Sequence, residues 1–541
     1  MTTATSAPRP AAPRPDEPSG QVWGARWWAA LAGVVGAGAG LAVAEVLAVL
    51  VSPRSSPVAA AGAAVVDATP AWLKDWAIET FGTADKVALF VFMGVFMLVG
   101  AALAGVLERR RDTWGAALVL LVAAVAAVVA VLRPGSTIFW SAPSVIGGLA
   151  GAGVLRASIR RLAEWEHVES PEVETPLTAA RRRAELDRRR FLTYTGVAGA
   201  SAVLLAVGAR ALSATTRVVE QARTTLRLPI PAVPADPVPT GAELGIDGLD
   251  PYITPNEEYY RIDTALRVPQ VDPDNWSLRV VGMVDEPFEL TMADLLALPL
   301  EEHHATLACV SNDVGGDLVG NALWLGYPLR ELLARAKPQA GADMVLSRSE
   351  DGWTASTPLD VLQDENRASL LAVGMNGEPL PLEHGFPARL VVPGLYGYVS
   401  ATKWVTELKV TTFAEDVAYW TTRGWTARGP IKMSSRIDTP RSNTTVDAGT
   451  VAVAGMAWDQ HTGIEKVEVR VDDGAWVEAE LAETASADTW RQWVFRWDAT
   501  PGGHTLTVRA TNVDGDTQTE QYAPPAPDGS TGWHSVEVDV R

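Results

Sequence analysis

Four apolar runs, Trp27 to Val51, Val87 to Val106, Trp114 to Leu132 and Ile138 to Leu155, constrain this chain more than any other feature. Each approaches the ~20 residues that a helix needs to cross bilayer hydrocarbon, where no water satisfies a loose backbone. Residues 24–155 are therefore expected to form four transmembrane helices, an all-α bundle, after a disordered cytoplasmic N-terminus at residues 1–23. The fourth run is the most glycine-rich.

Arginine placement sets the orientation. Arg9, Arg14 and Arg26 precede the first run, Arg109, Arg110 and Arg111 follow the second, and Arg156, Arg160 and Arg161 follow the fourth. The N-terminus is thus expected in the cytoplasm, as is a linker at residues 156–190. A fifth apolar stretch, Phe191 to Ala211, follows Arg188-Arg189-Arg190. It reads as a fifth transmembrane helix over 191–212 with a twin-arginine-like export signal; a stop-transfer flank is the plainer reading. Either way, everything beyond Leu212 lies outside the cell membrane.

Glu45 sits inside the first run, six residues from its end. Such a group is either functional or reaches the interface. Of the histidines, only His167 precedes Leu212, so the spans have no histidine pair for a haem. An electron partner is therefore expected to be a separate protein.

Charge is divided unevenly: residues 1–212 carry about +4 and residues 213–541 about −23, within a total of −19. An acidic outer part excludes nucleic acid as a partner. Residues 213–249, with Pro229, Pro231, Pro234, Pro237 and Pro239, have the composition of an extended stalk. Residues 250–415 mix short strands such as Trp276 to Val281 with helices such as Pro328 to Ala336, an α+β pattern. Residues 428–541 carry short alternating strands, Val451 to Trp458, Val467 to Val471, Trp476 to Leu481, Trp490 to Trp497, His504 to Thr511 and His534 to Val540. Turns at Asp473-Gly474 and Asp514-Gly515 complete the pattern of an all-β, immunoglobulin-like sandwich.

The chain has a single cysteine, Cys309, so no intrachain disulfide can form. It is either a small core residue or a working thiol. His384-Gly385-Phe386-Pro387-Ala388-Arg389, continuing to Gly397 and followed by Thr402-Lys403-Trp404, joins cations to glycines that admit a close backbone. Such a set suits a phosphate.

In this order the motifs resemble the molybdopterin oxidoreductases of the sulfite oxidase type: Thr254-Pro255-Asn256-Glu257-Glu258-Tyr259-Tyr260, Ala305-Thr306-Leu307-Ala308-Cys309, Asn321 to Leu329, Met375 to Pro381, then His384 to Gly397 and Lys403-Trp404. The resemblance spans Asp250 to Arg541. It implies a molybdopterin cofactor with Cys309 as the metal ligand, and Asn256, Tyr259, Tyr260, Asn312, His384, Arg389, Thr402 and Lys403 as cofactor-binding positions. It also implies oxygen-atom transfer, a small-molecule substrate, a separate cytochrome or quinol-linked electron partner, and dimerisation through the C-terminal domain.

Departures narrow the substrate. Where sulfite oxidases place substrate arginines, this chain has Val314 and Ile262; Trp425 replaces the active-site tyrosine, and Arg491 preserves a third arginine. A neutral S- or N-oxide is therefore expected rather than sulfite, whose dianion needs paired positive charge. The alternatives are a membrane-anchored binding or adhesion protein on a metal-free relic of the same fold, and a transporter, which the lack of internal repeats disfavours.

Overall fold

The computed structural model describes residues 21–52, 55–69, 73, 80, 85–133, 136–168, 192–197, 199, 214–265 and 268–541. The chain forms two compact units, residues 1–214 and 215–541. The twin-arginine motif, residues 169–190 of the expected linker and most of the fifth span lie outside the described residues.

In the first unit, α1 (Gln21–Val51), α2 (Pro57–Ala68), α3 (Asp85–Arg110), α4 (Trp114–Val131) and α5 (Ala142–Val168) follow one another. Four helical spans, Arg26–Val51, Ala88–Arg110, Trp114–Val131 and Ile138–Glu164, are long and apolar enough to cross a membrane. Helices in lipid gain little from apolar burial and associate through close backbone approach instead. Glycine makes that approach possible on two sides of α1. A Cβ on Gly40 would sit 2.6 Å from the Gly147 carbonyl of α5, and one on Gly105 of α3 would collide with the Ala29 carbonyl of α1. Gly105→Leu is accordingly expected to destabilise the bundle by about 1–3 kcal/mol or more, read as a lower melting temperature in detergent; an unchanged melting curve would contradict this packing.

Two acidic groups of the bundle, Glu108 and Glu45, have partners. Glu108 accepts from the Ala116 and Thr113 backbones at 2.8 and 3.3 Å, satisfying amides at the start of α4, and lies 3.5 Å from Arg156. Glu45 accepts from Ser56 Oγ at 2.6 Å.

The second unit contains the α+β domain and the sandwich. In the α+β domain, β1 (Ser277–Gly282), β2 (Phe288–Thr291), β3 (Glu301–Ala308), β4 (Val319–Pro328), β5 (Met344–Ser349), β6 (Thr354–Pro358), β7 (Leu370–Met375), β8 (Glu378–Pro379), β9 (Arg389–Val391) and β10 (Val405–Thr411) form two sheets. One runs β2-β1-β10-β5-β6 and the other β3-β4-β7-β8, with β9 also on β7. β7, Leu-Leu-Ala-Val-Gly-Met, is buried throughout, as its unbroken apolar run requires of a central strand.

The sandwich holds β11 (Ser434–Thr439), β12 (Thr444–Val446), β13 (Gly449–Trp458), β14 (Ile464–Val471), β15 (Val477–Glu478), β16 (Glu480–Leu481), β17 (Arg491–Ala499), β18 (Gly502–Asn512) and β19 (His534–Val540). Its sheets run β11-β13-β17-β16 and β12-β19-β18-β14-β15. In β19, Val536, Val538 and Val540 point inward while Glu537 and Asp539 stay exposed, the period-two pattern of a half-buried strand. Met456, Trp458 and Trp490 of the sandwich belong to the core of the α+β domain, so the two halves share apolar surface.

The stalk expectation needs correction. Residues 214–225 are helical, with Val219 buried in the core beside β3 and Arg223 donating to the Pro379 carbonyl at 3.1 Å. The proline-rich run then lies along the domain: Ala232 donates to Leu300, Glu302 to Val233, and Val233 forms a parallel bridge with Glu301 of β3. The physical reason is that β3 is the edge of its sheet, and an extended segment satisfies the loose backbone groups there.

Candidate active site

Cys309 is the first residue beyond β3, in the loop that returns to β4. Its amide donates to the Leu318 carbonyl at 2.9 Å, and the Ser311 amide points at its Sγ at 3.4 Å. Asn312 shapes the loop by accepting from the Leu318 amide at 2.8 Å. The sandwich grips the same loop: Ser530 Oγ donates to the Asn312 carbonyl at 2.7 Å and Arg436 Nη1 to the Gly316 carbonyl at 2.8 Å. Burial pushes the Cys309 thiol up, while the Ser311 hydrogen bonds and the Lys403 charge pull the other way.

Aromatic rings stand beside it. Tyr259 and Tyr260 stack at 5.3 Å, and Tyr259 meets His384 and Trp324 edge-on at 5.5 and 5.9 Å. Tyr259 Oη donates to the Gly320 carbonyl at 2.9 Å; a Cβ at Gly320 would lie 2.8 Å from that ring, so only glycine fits. Asn256 is held by Asn376 Nδ2, which donates to its Oδ1 at 2.9 Å, and its carbonyl lies 3.1 Å from His384 Nε2.

Cations complete the cluster. Gly385, at φ +112°, lets the chain turn between His384 and Arg389 while lying against Lys403. Arg389 is 5% exposed; it donates to the His384 and Leu390 carbonyls, stands 5.0 Å over the Trp324 ring, and pairs with no carboxylate among the described residues. Lys403 Nζ donates to Asp263 Oδ2 at 2.8 Å and to the Glu383 carbonyl at 3.0 Å. Burial holds Lys403 down to about 8 and, with the charges of Arg389 and Lys403, holds His384 down to about 3. Positive charge therefore exceeds negative in a desolvated place, which selects for an anion.

Not every expected residue joins this cluster. Thr402 is fully buried, with its hydroxyl 2.6 Å from Ser347 Oγ, so it supports the strands around Lys403 instead of facing a ligand. Trp425 packs against Tyr398 and Trp420 at 5.8 and 6.2 Å. Arg491 is engaged within the sandwich, donating to the Ala482 and Ile464 carbonyls at 2.6 and 2.8 Å, which ties up the guanidinium expected to meet substrate. The sequence reading missed Asp263, Asn376 and the clasp of Ser530 and Arg436 on the Cys309 loop, because nothing local marks partners that are tens to hundreds of residues apart.

His534 accepts from the Ile437 amide at 3.0 Å, and burial, reinforced by Arg436, holds it down to about 4. Both His384 and His534 are thus neutral in the folded protein at neutral pH. The unfolded chain takes up a proton at each near about 6.5, so stability should fall as pH drops from there toward 4. In His534→Gln that slope should be shallower by about one proton, measured by thermal unfolding across the pH series.

Among the described residues no group of His, Cys, Asp and Glu is arranged to hold a metal. A metal at Cys309 would therefore take its remaining ligands from a bound group. A soft thiol, flat aromatic walls and surplus buried cations fit a phosphate-bearing, metal-carrying cofactor.

Comparison with known proteins agrees. Residues 265–420 match the oxidoreductase molybdopterin binding domain family, and residues 434–508 the bacterial Ig domain family. The mitochondrial sulfite oxidase of Rattus norvegicus is 30% identical over 343 residues, covering 53% of this chain. This chain spans 62% of the length of the rat and human sulfite oxidases that it matches. The uncharacterized oxidoreductase YuiH of Bacillus subtilis is 37% identical over 158 residues, which is 76% of its length and 29% of this chain. The chain belongs to the sulfite oxidase-type molybdopterin oxidoreductases. Among solved structures, the sulfane dehydrogenase SoxCD from Paracoccus pantotrophus matches 54% of this chain and 82% of its own at a TM-score of 0.47 and 23% identity. The family assignment agrees with the α+β domain and sandwich expected from sequence, and with molybdopterin as the cofactor.

Proposed function

We propose that the protein is a membrane-anchored, extracytoplasmic, molybdopterin-dependent oxidoreductase that transfers an oxygen atom from a neutral S- or N-oxide. The observation that carries the reading is the cluster itself: a lone thiol beside stacked tyrosines and buried cations, with Arg389 lacking a carboxylate partner among the described residues. Arg389, Lys403 and His384 would hold the phosphate end of the cofactor, Asn256, Tyr259 and Tyr260 its pterin, and Cys309 its metal.

When bound, the cofactor supplies two-electron oxygen-atom transfer. Reduction of an oxide takes up two electrons and two protons and releases the reduced substrate and water. The electrons would come from a separate cytochrome or quinol-linked carrier, and the sandwich would serve dimerisation.

Two uncharged positions and a protonated tyrosine favour an uncharged substrate. Val314 and Ile262 bring no charge where the resemblance places sulfite-binding arginines. Tyr396, pushed up to about 12 by burial with the Cys309 charge adding, keeps its proton and adds no charge at neutral pH. A sulfite dianion would leave water with few cations to meet it. Arginine placement along the chain supports a cytoplasmic N-terminus and external catalytic domains.

The test is made on purified full-length protein with its molybdenum reduced. S- and N-oxides should discharge the reduced signal, while sulfite should not reduce the oxidised protein. Rapid oxidation of sulfite with S-oxides untouched would reject the substrate class, and protein free of molybdenum and pterin would reject the whole reading.

A further inference from the structure

The lysine that a phosphate needs already has an anion within the protein. Lys403 and Arg261 both donate to Asp263 Oδ2, at 2.8 and 2.9 Å. The Asp263 side chain is 5% exposed and that of Lys403 10%, so this is a desolvated contact where pairing matters. The carboxylate is supplied from the segment that follows Tyr260, far from Lys403 in sequence.

We propose that Asp263 is a resident counter-anion of the phosphate cradle, pairing Lys403 in protein without cofactor and yielding it to an incoming phosphate. The inference rests on the cofactor reading above. Arg261, Arg389 and Lys403 surround His384, which is neutral, and Asp263 answers only part of their charge. An unpaired ammonium at this depth is strongly disfavoured, so the cradle holds Lys403 in place only if some anion is present. A phosphate with more than one negative charge can take both Lys403 and Arg389, which no single carboxylate does here. Asp263 keeps Arg261 after the exchange, because Arg261 donates to the carboxylate directly and not through Lys403. Lys403 and Asp263 thus each retain a charged partner before and after binding, while Arg389 gains one only with the phosphate. The long Lys403 stem, with rotatable bonds throughout, can move between the two acceptors.

The test uses full-length protein in detergent, produced without molybdenum cofactor, with inorganic phosphate as the probe. Asp263→Asn should lower the melting temperature of this cofactor-free protein and bind phosphate roughly tenfold more tightly than wild type, since a competing anion has been removed. In cofactor-loaded protein the same variant should lose markedly less melting temperature, only what its remaining contact to Arg261 supplies, whereas a merely structural role would give equal losses in both forms. Arg389→Met should lose phosphate binding. Should Asp263→Asn fail to fold, Asp263→Ser carries the same expectations, and the pair Asp263→Asn with Lys403→Met should recover the cofactor-free melting temperature. Unchanged or weaker phosphate binding in the neutral variants, with Arg389→Met still defective, overturns the proposal and leaves the cofactor reading standing. Absence of phosphate binding in every variant, together with molybdenum-free protein from a cofactor-producing host, overturns both.

Discussion

Cys309→Ser should retain the fold and lose turnover by more than about a hundredfold, beyond the 10- to 100-fold typical of losing a residue that only orients a metal ligand. Serine nearly matches the thiol in size, and the Cys309 amide would keep its bond to Leu318. What changes is chemistry: a hydroxyl is a hard, weakly acidic donor where the proposed metal site calls for a soft thiolate. The readouts are molybdenum content, turnover and melting temperature on the same sample. Full turnover with molybdenum retained would show that Cys309 is only a core residue.

Arg436→Ala should have the largest effect on stability, about 3–5 kcal/mol. Arg436 is 4% exposed, and its guanidinium reaches Asp438 at 2.5 Å, Asp250 at 2.6 Å and the Gly316 carbonyl at 2.8 Å. Alanine would leave Asp438 buried and uncompensated. Burial already pushes the Asp438 carboxyl up, against the pull of Arg436, so the folded protein protonates it more readily than the unfolded chain does. The variant's defect should therefore shrink as pH falls toward the range where that carboxyl becomes neutral. Thermal unfolding of both proteins over pH checks this; a defect that grows on acidification would contradict it.

Much of the architecture was legible because its signals are local. The apolar runs gave the four long helices, and alternation along stretches such as His534 to Val540 gave the sandwich strands. Cys309, His384, Arg389 and Lys403 stood out as candidates because each sits in a short motif that the family resemblance picks out. Other features depend on meetings between distant segments. Arg491 looked available until its guanidinium was found donating to the Ala482 and Ile464 carbonyls, and Thr402 until its hydroxyl was found facing Ser347. The stalk was misread for a similar reason: proline content predicts an extended chain but not what that chain lies against.

The proline-rich run that lines β3 bears on how a soluble fragment should be cut. A fragment beginning at Asp250 would lack Val233 and Ala232, and would bare the outer edge of the strand that leads into Cys309. Such an edge is a template on which another chain can add, so the shortened protein should tend to aggregate. Keeping the helix at Ala214–Thr225 and the run after it preserves that cover. The segment that reads as a spacer is thus part of what covers the open edge of the sheet that leads into Cys309.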